Sequence, residues 1–202
     1  MVSVDEAVAA IREGQLVVIP TDTVYGLACS PYYEKPVQEL SALKGRGAGQ
    51  PIALVASSLD WLLECVPELR GRAAVLARAL LPGPYTLVLP NPARRYPWLN
   101  GDRPDTIGVR IPDVDGRARE ILDRVGAIAA TSANRHGDAD PLRLADVPQE
   151  ILAAVAVAVD GGELPGAPST VLDLTGTEPV VLREGAVPEA EALARVAAVA
   201  AQ

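Results

Sequence analysis

An apolar run, Leu16-Val17-Val18-Ile19, empties directly into Pro20-Thr21-Asp22-Thr23-Val24-Tyr25-Gly26-Leu27. Four consecutive aliphatic residues, three of them β-branched, read as a short buried strand. Two hydroxyls, a carboxylate, a tyrosine and a glycine then gather just behind a proline that cannot continue the strand's ladder of donors. A buried strand that opens into such a loop is where α/β proteins bind ligands, in the crevice beyond the strand ends. A second polar segment, Leu43-Lys44-Gly45-Arg46-Gly47, places two cations among glycines. Together the two segments describe a small-molecule site with an anionic component.

The rest of the chain alternates between strand-like and helix-like segments. Residues 2–13 have the apolar spacing of an amphipathic helix, and further helices are expected over Val37–Lys44, Ser58–Cys65, Gly71–Leu81, Asp115–Val125, Val147–Ala154 and Pro188–Ala200. Asp115 is a candidate N-cap. Strands are expected at Pro51–Ala56, Tyr85–Leu89, Thr106–Ile111, Ala127–Ala130, Val155–Val159, Thr170–Leu174 and Val180–Arg183. The alternation predicts an α/β fold with a twisted sheet. The short links between Tyr85–Leu89 and Thr106–Ile111, and between Thr170–Leu174 and Val180–Arg183, predict antiparallel pairs within it, so the sheet is mixed. Residues 1–202 read as one domain, and the Pro/Arg-rich segment Asn91–Pro104 as its mobile loop.

Composition narrows the function classes. The chain is 49% hydrophobic, with no Phe, one Met and two Trp, so its core is built of Ala, Val and Leu. A formal charge of −8 and a pI near 4.7 exclude a bulk basic surface for nucleic acid. Only a local patch remains for weak contact with tRNA or double-stranded RNA. Cys29 and Cys65 stand far apart and form no redox or metal pattern; they read as small core residues. A single histidine, His136, rules out a multi-histidine metal site. No apolar run reaches the length of a membrane span and no secretory leader pattern opens the chain, which predicts a cytoplasmic protein.

Polar residues recur at strand ends and inside strands: Thr86, Arg110, Thr131-Ser132-Ala133-Asn134, Ser169-Thr170 and Arg183. A hydroxyl after a strand is often only a turn former or cap, which suffices to explain Ser132 or Ser169 alone. Arg110, flanked by Val109 and Ile111, needs a partner, either a structural carboxylate or a ligand. No Walker loop, dinucleotide fingerprint or Ser-His-Asp order is present. Hydroxyls, an amide and cations hold anions and orient reactants but are poor general bases. They suit chemistry on phosphates driven by positioning and charge neutralisation.

PTDTVYGL, LKGRG followed by PIALV, PGPYTLVL, TIGVRIP, ATSAN, STVLDL and LREGAV occur in this order. Over about residues 5–188 the chain thereby resembles the YrdC-like family of threonylcarbamoyl-AMP synthases, in its short single-domain form without a second C-terminal domain. The resemblance implies a twisted α/β sheet around a deep, positively lined concave cavity. It also implies a reaction in which L-threonine, bicarbonate or CO2, and ATP yield threonylcarbamoyl-AMP and pyrophosphate. A separate threonylcarbamoyl-transferase complex then uses the product to modify tRNA. The implied ATP residues are Lys44, Arg46, Thr86, Ser132, Asn134 and Arg183, with Lys44 and Arg46 as the catalytic cations. The implied L-threonine residues are Thr21, Thr23, Tyr25, Arg110 and Ser169, with Arg110 on the carboxylate. Mg²⁺ would be held mainly by ATP phosphates, with no metal site of the protein's own. The chain departs from the family pattern at Gly47, where many members have Pro, and at Val55, where many have His. Other readings are an RNA-binding module and a divergent relative without synthase activity.

Overall fold

The computed structural model describes residues 3–47 and 49–200. Met1, Val2, Ala48, Ala201 and Gln202 lie outside the described residues, and with them the start of the first expected helix. In chain order the elements are α1 (Val4–Arg12), β1 (Val17–Ile19), β2 (Gly26–Cys29), α2 (Glu34–Leu43), β3 (Ala53–Ala56), α3 (Leu59–Cys65) and α4 (Gly71–Leu80). There follow β4 (Tyr85–Pro90), β5 (Thr106–Arg110), α5 (Gly116–Val125), β6 (Ala127–Ser132), α6 (Gln149–Ala154), β7 (Val157–Ala158), β8 (Thr170–Asp173), β9 (Val180–Arg183) and α7 (Glu189–Ala200). The first helix opens on a capping box: Ser3 Oγ accepts from Glu6 N, and the Glu6 carboxylate accepts from Ser3 N.

The nine strands form one mixed sheet in the order β7-β1-β2-β6-β3-β5-β4-β8-β9. β1/β7, β3/β5 and β4/β8 run parallel, and the remaining neighbours run antiparallel. The two antiparallel links expected from the sequence are the β4/β5 and β8/β9 pairs. Strand β2 was not expected. Gly26-Leu27-Ala28-Cys29 has little intrinsic strand preference, and pairing with both β1 and β6 supplies what propensity does not. Asp115 occupies the N-cap position of α5, but its side chain makes no capping hydrogen bond, contrary to the reading from sequence.

Period-two alternation divides the sheet between two environments. One face packs α2, α3, α4 and α7 through Leu27, Leu54, Leu87, Val109 and Leu172, all buried. The other face packs α1 and α5 through Val17, Ile19, Ala28, Val55 and Ile128. Those two helices cover only the β7-β1-β2-β6-β3 side. Over β5, β4 and β8 the same face carries Gly108, Arg110, Thr86, Val88 and Val171 and has no helix on it. It forms the floor of the cavity instead. Both cysteines are buried free thiols, and burial pushes the Cys29 thiol up to about 12.

The segment read as a mobile loop is tied down. Asn91 is buried and brackets Arg95 through both its amide groups. Arg95 grips Glu68 with two nitrogens at 2.6 and 2.7 Å, and Trp98 Nε1 donates to Pro31 O. Leu99, in a single 3-10 turn, is buried in the core.

Candidate functional site

The cavity encloses about 410 Å³. Of the eleven residues singled out from sequence, Thr21, Thr23, Arg46, Thr86, Arg110, Ser132, Ser169 and Arg183 line it, and Lys44, Asn134 and Tyr25 do not. Strand ends explain the convergence. Thr21 and Thr23 leave β1, Ser132 closes β6, Arg110 closes β5, and Ser169 immediately precedes β8. Thr86 and Arg183 lie on the strands β4 and β9 that flank β8.

Arg110 sits at one end. Its Nη2 donates to the Asp22 carboxylate and to Thr23 Oγ1, and the other Asp22 oxygen accepts from Asp113 N at 3.1 Å. Arg110 Nε is buried with no partner. Sequence left open whether Arg110 is a structural ion pair or a ligand contact. The structure gives it a carboxylate partner and a place on the cavity wall at once. Burial pulls the guanidinium pKa down and Asp22 opposes that pull.

Arg46 and Arg183 define a second region. Arg46 Nη1 donates to Pro51 O at 3.0 Å, and its Nε is buried without a partner. Arg183 Nη2 donates to Ser169 O and Oγ, and Ser169 Oγ lies 2.8 Å from Thr86 Oγ1. Among the described residues neither arginine is paired with a carboxylate. Burial and the charge of Arg183 lower the Arg46 pKa. Two unneutralised guanidinium groups facing one enclosed space form a ready anion site. The cavity cation Arg103, by contrast, is paired with Asp173 at 2.7 Å.

Lys44 lies one hydrogen bond behind the wall. Its ammonium donates to Ser132 O (2.7 Å), Ser132 Oγ (3.1 Å), Asn134 O (3.0 Å) and Asn134 Oδ1. The side chain is only 2% exposed. Sequence treated Lys44 and Arg46 as twin loop cations. The structure separates them, since Lys44 at the C-cap of α2 points inward and Arg46 reaches the cavity. Burial first, and the charges of Arg46 and Arg183, pull the ammonium pKa down to about 8 against the opposite pull of Asp140 and Asp138. Asn134 Nδ2 is held by Asp138 O and Asp140 Oδ1, so Lys44 and Asn134 together fix the turn that presents Ser132.

Tyr25, which the sequence reading puts in the amino-acid pocket, is not on the cavity lining. Being one residue from β2, it turns to the opposite face, where its buried hydroxyl donates to Gly162 O and accepts from Gly161 N. It anchors the loop after β1 rather than facing the cavity. Two acids that sequence did not select matter here: Asp22, inside the same motif as Thr21 and Thr23, and Asp140, which lines the cavity and holds Asn134. The position of Asp22 between two chosen threonines was the available signal. Nothing in the sequence around Asp140 marked it.

A protein-family model described as "Telomere recombination", the Sua5/YciO/YrdC model, matches residues 9–185. The chain belongs to this family. A threonylcarbamoyl-AMP synthase of Pyrococcus abyssi is 37% identical over 185 residues, which are 90% of this chain and 54% of that protein. A threonylcarbamoyl-AMP synthase of Chromohalobacter salexigens is 36% identical over 180 residues, 86% of this chain and 93% of that protein. This chain therefore spans about half the length of the first relative and nearly all of the second. The crystal structure of P. abyssi Sua5 complexed with L-threonine superposes with a TM-score of 0.86 at 36% identity, covering 95% of this chain and 56% of that one. The crystal structure of E. coli YciO gives 0.82 at 26% identity, covering 94% and 92%. The mixed open sheet with flanking helices is thus the fold of the family. Among the described residues no helix is long and apolar enough to cross a membrane.

Proposed function

We propose that the chain is an L-threonylcarbamoyladenylate synthase acting in the cytoplasm. The observation that carries this reading is the pairing of two kinds of arginine in one cavity. Arg110, paired with Asp22 through Nη2 and with its buried Nε unpartnered, suits the single charge of an amino-acid carboxylate. Arg46 and Arg183, without carboxylate partners, suit the greater charge of a triphosphate. Family membership and the names of the relatives point the same way.

In this reading the carboxylate of L-threonine lies against Arg110, near Thr21 and Thr23. The α-amine bonds to CO2 derived from bicarbonate and loses a proton, giving a carbamate. A carbamate oxygen then bonds to the α-phosphorus of ATP, the α–β anhydride breaks, and pyrophosphate leaves with the electron pair. Arg46 and Arg183 stabilise the charge on the phosphates, and Ser132 and Thr86 orient them. Lys44 and Asn134 hold Ser132 in place. Among the described residues there is no cluster of three metal-ligating side chains, and Asp102 and Asp140 are the carboxylates on the lining. That sparse donor set fits Mg²⁺ carried by the ATP phosphates, where it supplies further charge neutralisation. A downstream transferase would carry the threonylcarbamoyl group to tRNA. An RNA-binding role is less well supported, because Arg46 and Arg183 lie within a cavity of an acidic protein. The test is pyrophosphate release from ATP. It should require both L-threonine and bicarbonate, and release indifferent to threonine would overturn the proposal.

A further inference from the structure

Apolar side chains line the cavity beside Arg110. Val55 is the register partner of Arg110 on the parallel strand β3, so both side chains lie on the same face of the sheet. Ile128 is the register partner of Val55 on β6 and faces the same way. Ile19, Val114 and Leu122 also line the cavity and, with Val55 and Ile128, pack with or against the buried cluster under α1 and α5. A group whose carboxylate rests on Arg110 can therefore place a short side chain against this aliphatic wall.

The hydroxyls nearest Arg110 have committed their protons. Thr21 Oγ1 donates to Val24 O at 2.7 Å. The proton between Thr23 Oγ1 and Thr21 Oγ1, 3.1 Å apart, is then the one Thr23 supplies, and Thr23 Oγ1 accepts from Arg110 Nη2. A substrate hydroxyl arriving here finds no free donor on either threonine and is left with the acceptor oxygens of Thr23 and Asp22 beside aliphatic side chains. A methyl group meets a matching surface.

We infer that this end of the site reads the branched shape of the amino-acid side chain rather than its hydroxyl, so that L-valine is a substrate alongside L-threonine. The inference rests on the synthase reading above. The chemistry is unchanged: the valine α-amine bonds to CO2 and loses a proton, a carbamate oxygen bonds to the α-phosphorus, and pyrophosphate departs with the anhydride electron pair. Valine and threonine have the same branched outline, and an apolar pocket discriminates weakly between such isosteres. A pocket built to hydrogen-bond a hydroxyl rejects the analogue lacking it by roughly 10⁴-fold or more. Losing one methyl group from an apolar contact costs about 10- to 200-fold.

L-Serine, which keeps the hydroxyl and lacks the methyl, separates the alternatives. Binding of L-threonine, L-valine and L-serine to the ATP-loaded protein would be measured by calorimetry, and pyrophosphate release with each would be followed in parallel. The expected result is valine within about tenfold of threonine and serine at least about tenfold weaker than valine. Serine binding more tightly than valine, or none of the three binding, overturns the inference. Valine binding in this order with no pyrophosphate release from any of the three refutes the synthase reading alone, whereas release with threonine but not with valine overturns the inference. Val55→Ser, checked for an unchanged melting temperature, should reduce the preference for valine over serine at least about tenfold. An unchanged preference would remove Val55 from the role.

Discussion

Replacing Asp22 with asparagine keeps the shape of the side chain and removes the charge that holds Arg110. The pair is buried: the side chains are 12% (Arg110) and 9% (Asp22) exposed, and the second Asp22 oxygen is held by Asp113 N. Removing one member of such a pair costs about 3–5 kcal/mol, because the other charge is left buried without compensation. Arg110 faces the cavity, where water can reach it, which places the cost near about 3 kcal/mol. In a chain of this length that lowers the melting temperature by about 6–12 °C. The freed guanidinium also loses its fixed orientation, so the apparent KM for L-threonine should rise at least about tenfold, or about 1.4 kcal/mol, with the KM for ATP unchanged. The double variant Asp22→Asn/Arg110→Gln has no orphan charge. It should recover most of the lost stability while remaining poor in threonine use, a non-additivity that a double-mutant cycle measures. Thermal melting and steady-state pyrophosphate release serve as the assays. An Asp22→Asn protein that melts like the parent and keeps its threonine KM would refute the reasoning. So would a double variant as unstable as the single one, since the loss would then be packing rather than charge.

Arg46→Ala should lower the rate of synthesis roughly 30- to 1000-fold, or about 2–4 kcal/mol, with melting within a few degrees of the parent, because among the described residues its side chain donates to Pro51 O alone. Intact activity would show Arg46 to be a bystander. Arg110→Lys retains the charge and loses the two-pronged donor, and it too should raise the threonine KM at least about tenfold. The Lys44 ammonium, held down at about 8, is lost from the native state at a lower pH than from the unfolded chain. As pH rises from about 8 towards the ordinary lysine value, near 10.4, this group adds to folding stability, yet its hold on Ser132 and Asn134 loses its charge and one donor. The KM for ATP should therefore climb above about pH 8 without a matching fall in melting temperature. A KM flat from about pH 7 to about 9.5 would contradict this.

The strands that build the cavity were legible as short apolar runs interrupted by polar residues: in β4 and β5 every second residue is buried, and Thr86, Thr106 and Arg110 between them line the cavity. Strand β2 was not legible, since Gly26 and Ala28 owe their extended state to neighbours on both sides rather than to propensity. The cations were found by their glycine-flanked setting, but sequence spacing cannot say which of two residues on a turn points inward. The helix end places Lys44 under the Ser132 turn and leaves Arg46 on the cavity wall. Asp22 was visible in the motif, yet its role depends on Arg110, a neighbour far along the chain. The Asn91–Pro104 segment looked mobile by composition and is fixed by Asn91, Glu68 and Pro31, contacts that local composition does not encode.

The most direct measurement follows one carbon and one phosphoanhydride. The protein is incubated with ATP, Mg²⁺, L-threonine and isotopically labelled bicarbonate, and the products are separated and weighed by mass spectrometry. The account predicts pyrophosphate together with threonylcarbamoyl-AMP carrying the bicarbonate label, and neither product when threonine is omitted. ADP and orthophosphate as the main products, or AMP and pyrophosphate with no label in an adenylate, would contradict it.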